Sequence, residues 1–231
     1  MQEVAARTLE RLLAPMVEII DQVVLVGGAS IPLWVDDPAA PPARPTNDTD
    51  VIVAARTQVH YHQLSERLRE LGFVEDADSN IICRWRHDQT GWLYDVMPLD
   101  QDILGFSNPW YADAYREAAE LSLPGGLIVR AATPPYLVAT KLVAFEDRGG
   151  SDYLASHDMY DIVALVDGRP TLGVEIGEAP TSLRNWLGSR FRSLRDGGRL
   201  DDALLNYVPF DAPPDAGSVI ERRVAAIANG H

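Results

Sequence analysis

The chain has one cysteine, Cys83, in 231 residues. That excludes an internal disulfide and any zinc site built on cysteines. Long hydrophobic runs are also missing: no apolar stretch approaches the ~20 residues that span a bilayer. The opening Met1-Gln2-Glu3-Val4-Ala5-Ala6-Arg7 carries an early acid and runs into an amphipathic pattern, which is not the order of a secretory signal. Positive charge is scarce. Lys and Arg number 20 against 34 Asp and Glu, a net charge of −14. Broad, non-specific nucleic-acid binding depends on neutralising many phosphates, and this balance argues against it without excluding a local basic groove. An acidic balance suits a site that collects divalent cations, and it also serves solubility. These features point to a protein of the cytoplasm with no membrane association.

What is present is an ordinary globular composition, 46% apolar and 23% charged, in a chain long enough to bury a sizeable core. Apolar spacing predicts a helix over residues 4–20. A short apolar run, Val23-Val24-Leu25-Val26, then ends in Gly27-Gly28-Ala29-Ser30. A short helix is expected from Ala29 to Trp34, with Pro32 tolerated only in its first turn. Asp36 to Pro45 is rich in proline and reads as a loop, either a mobile one that gates a site or one that merely lengthens a turn.

A second strand is expected over about 49–54, a helix from Val59 to Leu71 closed by Gly72, and strands over 81–87 and 92–99 joined by Asp88-Gln89-Thr90-Gly91. Residues 100–124 show no usable periodicity. Leu127–Ala131 reads as a strand, and helices are expected over Pro134–Asp147, His157–Val166, Thr181–Arg195 and Ser218–Asn229. The first two of these are separated by a break at Gly149-Gly150. The shift to helix near residue 132 divides the chain into 1–132 and 133–231.

Two features carry chemistry. In Asn47-Asp48-Thr49-Asp50-Val51-Ile52-Val53, Asp48 and Asp50 project to one face of a strand. Paired carboxylates repel, and a magnesium ion relieves this by taking hard oxygen ligands. For a bare Asp-x-Asp, an acidic turn before an ordinary strand is the commoner explanation. Gly27-Gly28, with a helix behind, lets backbone amides approach a phosphate, and the Ser30 hydroxyl can add a donor. This is neither a dinucleotide fingerprint nor a P-loop.

Gly-Gly, a short helix and Asp-x-Asp leading an apolar strand resemble the DNA polymerase β-like nucleotidyltransferase superfamily. The fuller pattern is similar to the AbiEii-like branch, which includes toxins of toxin–antitoxin systems. Its Arg-x-Ser/Thr-x-Asp-hydrophobic-Asp is met by Arg44, Thr46, Asp48 and Asp50, with Thr49 standing at the usually apolar position. A second signature covers Pro134-Pro135-Tyr136-Leu137-Val138-Ala139-Thr140-Lys141-Leu142-Val143-Ala144-Phe145-Glu146-Asp147-Arg148 and His157-Asp158-Met159-Tyr160-Asp161-Ile162.

The resemblance implies an α/β (α+β) fold: a nucleotidyltransferase core with a mixed sheet flanked by helices over 1–132. It also implies a helical C-terminal portion, 133–231, packed on that core and contributing Lys141 and Asp158. The implied enzyme transfers a nucleoside monophosphate from a nucleoside triphosphate, such as ATP, to an acceptor hydroxyl. Asp48, Asp50 and Asp95 would hold Mg2+ or Mn2+, with Asp95 the third acid, while Gly27, Gly28, Ser30, Arg44 and Lys141 would bind the nucleotide. Asp158 would orient Lys141; an interhelical salt bridge of Lys141 with Asp158 or Asp161 is the structural alternative.

RNA, in particular tRNA, is the implied acceptor, with an antitoxin as partner. A small-molecule nucleotidyltransferase of the aminoglycoside-modifying type fits the acidic charge better. A catalytically inactive nucleotide-binding or interaction protein is the third possibility. Asp100 and Asp102 lack glycine context and read as a decoy. His60, His62, His87 and His157 show no metal spacing. Arg184, Arg190, Arg192, Arg195 and Arg199 could form an RNA-facing patch or pair with acids.

Overall fold

The structure is a computed structural model that describes residues 2–46, 48–105, 108–148 and 152–230. The expected break at Gly149-Gly150 lies outside the described residues. The chain divides into two compact units, one of residues 1–30 and 45–133, the other of 31–44 and 134–231. The expected changeover near residue 132 is one of the places where the chain passes between units. Residues 31–44 fall with the helical unit.

The first unit holds a seven-stranded mixed sheet: β1 Val23–Val26, β2 Asp48–Val53, β3 Phe73–Glu75, β4 Arg84–His87, β5 Leu93–Pro98, β6 Ala119–Ser122 and β7 Ile128–Ala131. Their spatial order is β3-β4-β5-β2-β1-β7-β6. β1 runs antiparallel to β2 and parallel to β7, and β2 runs parallel to β5. All four residues of β1 are buried, as a continuous apolar run in mid-sheet requires. In β2, Thr49 and Val51 are buried while Asp48 and Asp50 are half-buried, so the strand's two faces separate the apolar and acidic sets.

The N-terminal helix is not continuous. Helix α1, Gln2–Leu13, gives way to a 3-10 helix over Ala14–Gln22 with Pro15 at its start, because proline lacks the N–H that would continue the α-helical ladder. Tyr94 of β5 donates its hydroxyl to the Leu12 carbonyl at 2.6 Å and fixes α1 to the sheet. Helix α2, Gln58–Glu70, is capped by Thr57, whose side chain accepts from the His60 amide. The stretch that showed no periodicity contains α3 Gln101–Leu104, α4 Tyr111–Arg116 and β6. These elements are too short to display a period.

The turn after β1 is a 3-10 helix, Gly28–Leu33, and Pro32 sits well inside it rather than in a first turn. The bonds that close it run from Ser30 N to Gly27 O and from Trp34 N to Ile31 O, and neither needs an N–H from Pro32.

The second unit comprises α5 Pro134–Asp147, α6 His157–Gly168, α7 Leu172–Glu178, α8 Thr181–Asp196, α9 Leu200–Tyr207 and α10 Ala216–Asn229. Helices α7 and α9 were not expected, being only about two turns each. Helix α5 opens on two prolines, where missing N–H groups cost nothing, and buries nearly every side chain through Leu142. The proline-rich stretch does not hang loose. The amides of Asp36 and Asp37 donate to the Gly168 carbonyl at 2.8 and 3.0 Å, and Arg169 reaches the Trp34 carbonyl at 3.1 Å. Gly168 has no room for a side chain, since a Cβ there would lie 2.5 Å from Val35. These bonds tie the segment to the helices of its unit.

Candidate active site

Strand register builds the first half of the site. Val26 lies opposite Asp50 on β1–β2, Asp50 opposite Asp95 on β2–β5, and Asp95 opposite Arg84 on β5–β4. Paired residues on neighbouring strands project to one face, and so do residues two apart on a strand. Asp48, Asp50 and Asp95 therefore share a face with Arg84, on strands about 4.8 Å apart.

Crowding carboxylates on one face calls for a cation, and Arg84 pairs with two of the three. Its Nε donates to Asp95 Oδ1 at 2.7 Å and one terminal nitrogen to Asp95 Oδ2 at 2.8 Å, a two-pronged fork. The same terminal nitrogen reaches Asp48 Oδ2 at 2.9 Å. The other Asp48 oxygen accepts from the Thr46 hydroxyl at 2.7 Å. The hydrogen bond to Asp95, with the charges of Asp95, Asp48 and Asp50 behind it, pushes the Arg84 guanidinium above its ordinary range. Next to it Cys83 is buried among the same negative charges, and its thiol is pushed up to about 12 by burial first and by Asp95 and Asp50 second. That cysteine is inert.

Gly27 has a specific reason to be glycine. Its φ is +68°, and a Cβ there would fall 1.7 Å from Asp50 Oδ2. The Asp50 carboxylate occupies the space a side chain would fill. Ser30 is fully buried and donates its hydroxyl to the Gly27 carbonyl at 2.8 Å, so the structure uses it to hold this turn.

The three carboxylates offer hard oxygen donors, the kind magnesium and manganese prefer, and they lie in register. They do not yet converge: among the described residues no group of three or more His, Cys, Asp or Glu side chains is arranged to hold a metal ion as it stands. The guanidinium of Arg84 stands at that place as the cation. The donor set fits such an ion in kind, with Arg84 as its stand-in.

The second unit holds the other signature as a buried ion network. Lys141 on α5 contacts Asp158 Oδ1 at 3.1 Å and Asp161 Oδ2 at 2.7 Å, both on α6. These side chains are 8%, 4% and 2% exposed. Arg44 forks onto Asp161, Nε to Oδ1 and a terminal nitrogen to Oδ2, each at 3.0 Å. Arg148 pairs with the outer oxygen of Asp158. Three cations thus meet these two carboxylates. The interhelical salt bridge set beside the functional reading of Lys141 is present, and Arg44 belongs to it.

Other candidates resolve into structural parts. Asp100 caps α3, its Oδ1 accepting from the Asp102 amide at 3.0 Å. Arg184 and Arg192 donate to the carbonyls of Gly177 and Ala228, closing helix ends. Arg190 pairs with Glu146, Arg195 with Asp196 and Arg199 with Asp202. The five arginines therefore do not present an unpaired basic patch.

The match of two separated signatures with this geometry is repeated at the level of the whole sequence. A family model described as "Nucleotidyl transferase AbiEii toxin, Type IV TA system" matches residues 7–213. The chain belongs to the AbiEii nucleotidyltransferase toxin family. No curated protein matches it. The mixed sheet flanked by helices agrees with the α+β fold expected of a nucleotidyltransferase. No helix among the described residues is long and apolar enough to cross a membrane.

Arg84 is the site residue that the linear sequence did not reveal. A signal existed: the four-residue turn Asp88–Gly91 centres the hairpin so that Arg84 falls opposite Asp95, and His87 N bonds to Trp92 O at its mouth.

Proposed function

We propose that this member of the AbiEii family transfers a nucleoside monophosphate from a nucleoside triphosphate such as ATP to a hydroxyl of RNA, with the tRNA acceptor end as the favoured acceptor. The observation that carries the reading is the register of Asp48, Asp50 and Asp95 on one face, beside a glycine turn that leaves Asp50 its space. Asp48, Asp50 and Asp95 would hold Mg2+ or Mn2+. When bound, such ions neutralise phosphate charge and activate the attacking hydroxyl.

The chain's own residues do the rest. Gly27 and Gly28 bring backbone close to the nucleotide's phosphates. Ser30 fixes that turn from beneath. Asp95 is the acceptor for the hydroxyl proton of the incoming substrate. The reading counts Lys141 as necessary for neutralising phosphate charge and Asp158 for orienting it. Arg44 acts through Asp161, holding the network that orients Lys141. An antitoxin partner and a cytoplasmic location are part of the same reading, and the toxin–antitoxin description of the family supports the partner.

A small-molecule acceptor is the second reading, favoured by the net charge of −14 and by the internal pairing of the α8 arginines. One experiment separates them. The protein is incubated with each labelled nucleoside triphosphate, Mg2+ and either total RNA or an aminoglycoside mixture, beside an Asp48→Ala/Asp50→Ala control. Label on RNA supports the first acceptor, and label on the aminoglycoside the second. Label transfer by the double variant, or no nucleotide binding by the unmodified protein, rejects the site. Growth arrest on expression, relieved by Asp48→Ala, is the expected cellular counterpart of the toxin role.

A further inference from the structure

Arg84 occupies the oxygens that a metal ion would need. Its fork takes both oxygens of Asp95 and its terminal nitrogen takes Oδ2 of Asp48. The second Asp48 oxygen is engaged by Thr46. A cation held by Asp48 and Asp95 would compete with Arg84 for those oxygens. The guanidinium cannot yield by losing its proton, because arginine stays charged at any working pH. It has to move.

We propose that Arg84 is a displaceable internal counter-ion of the Asp48–Asp50–Asp95 cluster, exchanging with the divalent cation rather than sharing the site with it. This rests on reading those carboxylates as the metal site. The side chain is suited to exchange. It is 15% exposed, anchored on edgeward β4, and Asp48 beside it is 35% exposed, so the guanidinium has a way towards water. In the metal-free protein Arg84 prevents repulsion among the acids from opening the sheet. In the loaded protein the ion does that, and the released guanidinium adds a positive charge beside the site, where a triphosphate would be received. Arg84 is then a positioning residue for the metal-free state and a brake on metal affinity.

The test measures Mn2+ binding to the full chain by electron paramagnetic resonance, for the unmodified protein, Arg84→Gln and Arg84→Lys. Arg84→Gln keeps a polar, shorter side chain and removes the charge. The expected result is Mn2+ binding at least tenfold tighter in Arg84→Gln, with Arg84→Lys in between because it keeps the charge and loses the fork. Melting in chelator should be lower for Arg84→Gln than for the unmodified protein, and saturating Mn2+ should close most of that gap.

Equal or weaker Mn2+ binding by Arg84→Gln overturns the proposal while leaving the metal site standing. Absence of Mn2+ binding by every form removes the metal site and the proposal together. Should Arg84→Gln fail to fold, nuclear magnetic resonance on the unmodified protein with 15N-labelled arginine decides. The Arg84 Nε–H signal, identified by its loss in Arg84→Lys, should shift and exchange faster with solvent as Mg2+ saturates. A signal unchanged by saturating Mg2+ overturns the exchange.

Discussion

Replacing Asp161 by asparagine is the sharpest probe of the helical unit. Its carboxylate is 2% exposed and is the hub of the buried network, bonded to Lys141 at 2.7 Å and twice to Arg44 at 3.0 Å. Removing one partner of a buried pair costs about 3–5 kcal/mol, because the other charge stays buried. Asparagine keeps one acceptor oxygen, and Lys141 keeps Asp158 at 3.1 Å, so a loss of about 2–3 kcal/mol is expected. Asp158→Asn should cost less, about 1–2 kcal/mol, since its second partner Arg148 is 71% exposed and can return to water. Guanidinium unfolding followed by far-ultraviolet circular dichroism reads both. A smaller loss for Asp161→Asn than for Asp158→Asn would refute the network as the element that holds α5, α6 and the Arg44 segment together. The same variants separate stability from chemistry: on the functional reading Asp158→Asn loses transfer activity out of proportion to its stability.

Thr49 is wholly buried and its hydroxyl finds no hydrogen-bond partner among the described residues, so Thr49→Val should stabilise the protein by about 1 kcal/mol, read as a higher melting temperature. Gly27→Ala places a side chain at a left-handed φ, costing about 1–2 kcal/mol, and displaces the Asp50 carboxylate; unfolding and label transfer should both show the loss. Burial raises the Asp167 carboxyl, against the opposing hydrogen bond from Tyr207 and charge of Arg223. A folded-state value above the unfolded one means the native state holds its proton longer, so this group's contribution falls as pH rises from about 3.8 through the raised value. Asp167→Asn should therefore melt higher than the unmodified protein at pH 7, and the difference should shrink as the pH is lowered through that window.

What could be read from the sequence followed from how local its signals are. β1 and β2 were legible because a buried strand needs an unbroken apolar run and Asp48 and Asp50 need a shared face. Helices α5 and α6 were legible because their residue types repeat at helical spacing over many turns. β3 spans three residues, too few for a period to show, and it is held by pairing with β4. The Asp-x-Asp pair said nothing of Arg84, whose partner Asp48 lies 36 residues earlier. In isolation Cys83-Arg84-Trp85-Arg86-His87 looks like an alternating edge strand, and only the register across two strands turns one of its charges inward. Arg44 was legible as a motif residue but not as a partner of Asp161, 117 residues away.

That last separation sets a clock. At a synthesis rate of about 5–20 residues per second, Arg44 is added to the chain roughly 6–23 s before Asp161 exists to receive it. Val35 likewise waits for Gly168, and the amides of Asp36 and Asp37 wait for the Gly168 carbonyl. The sheet unit has all its strands by residue 131 and can close early around the gap left by 31–44. In a nascent chain halted before α6, the Arg44 segment has no Asp161 to bind. Completion of the helical unit is thus the late event of synthesis, and Lys141 acquires its two carboxylates only then.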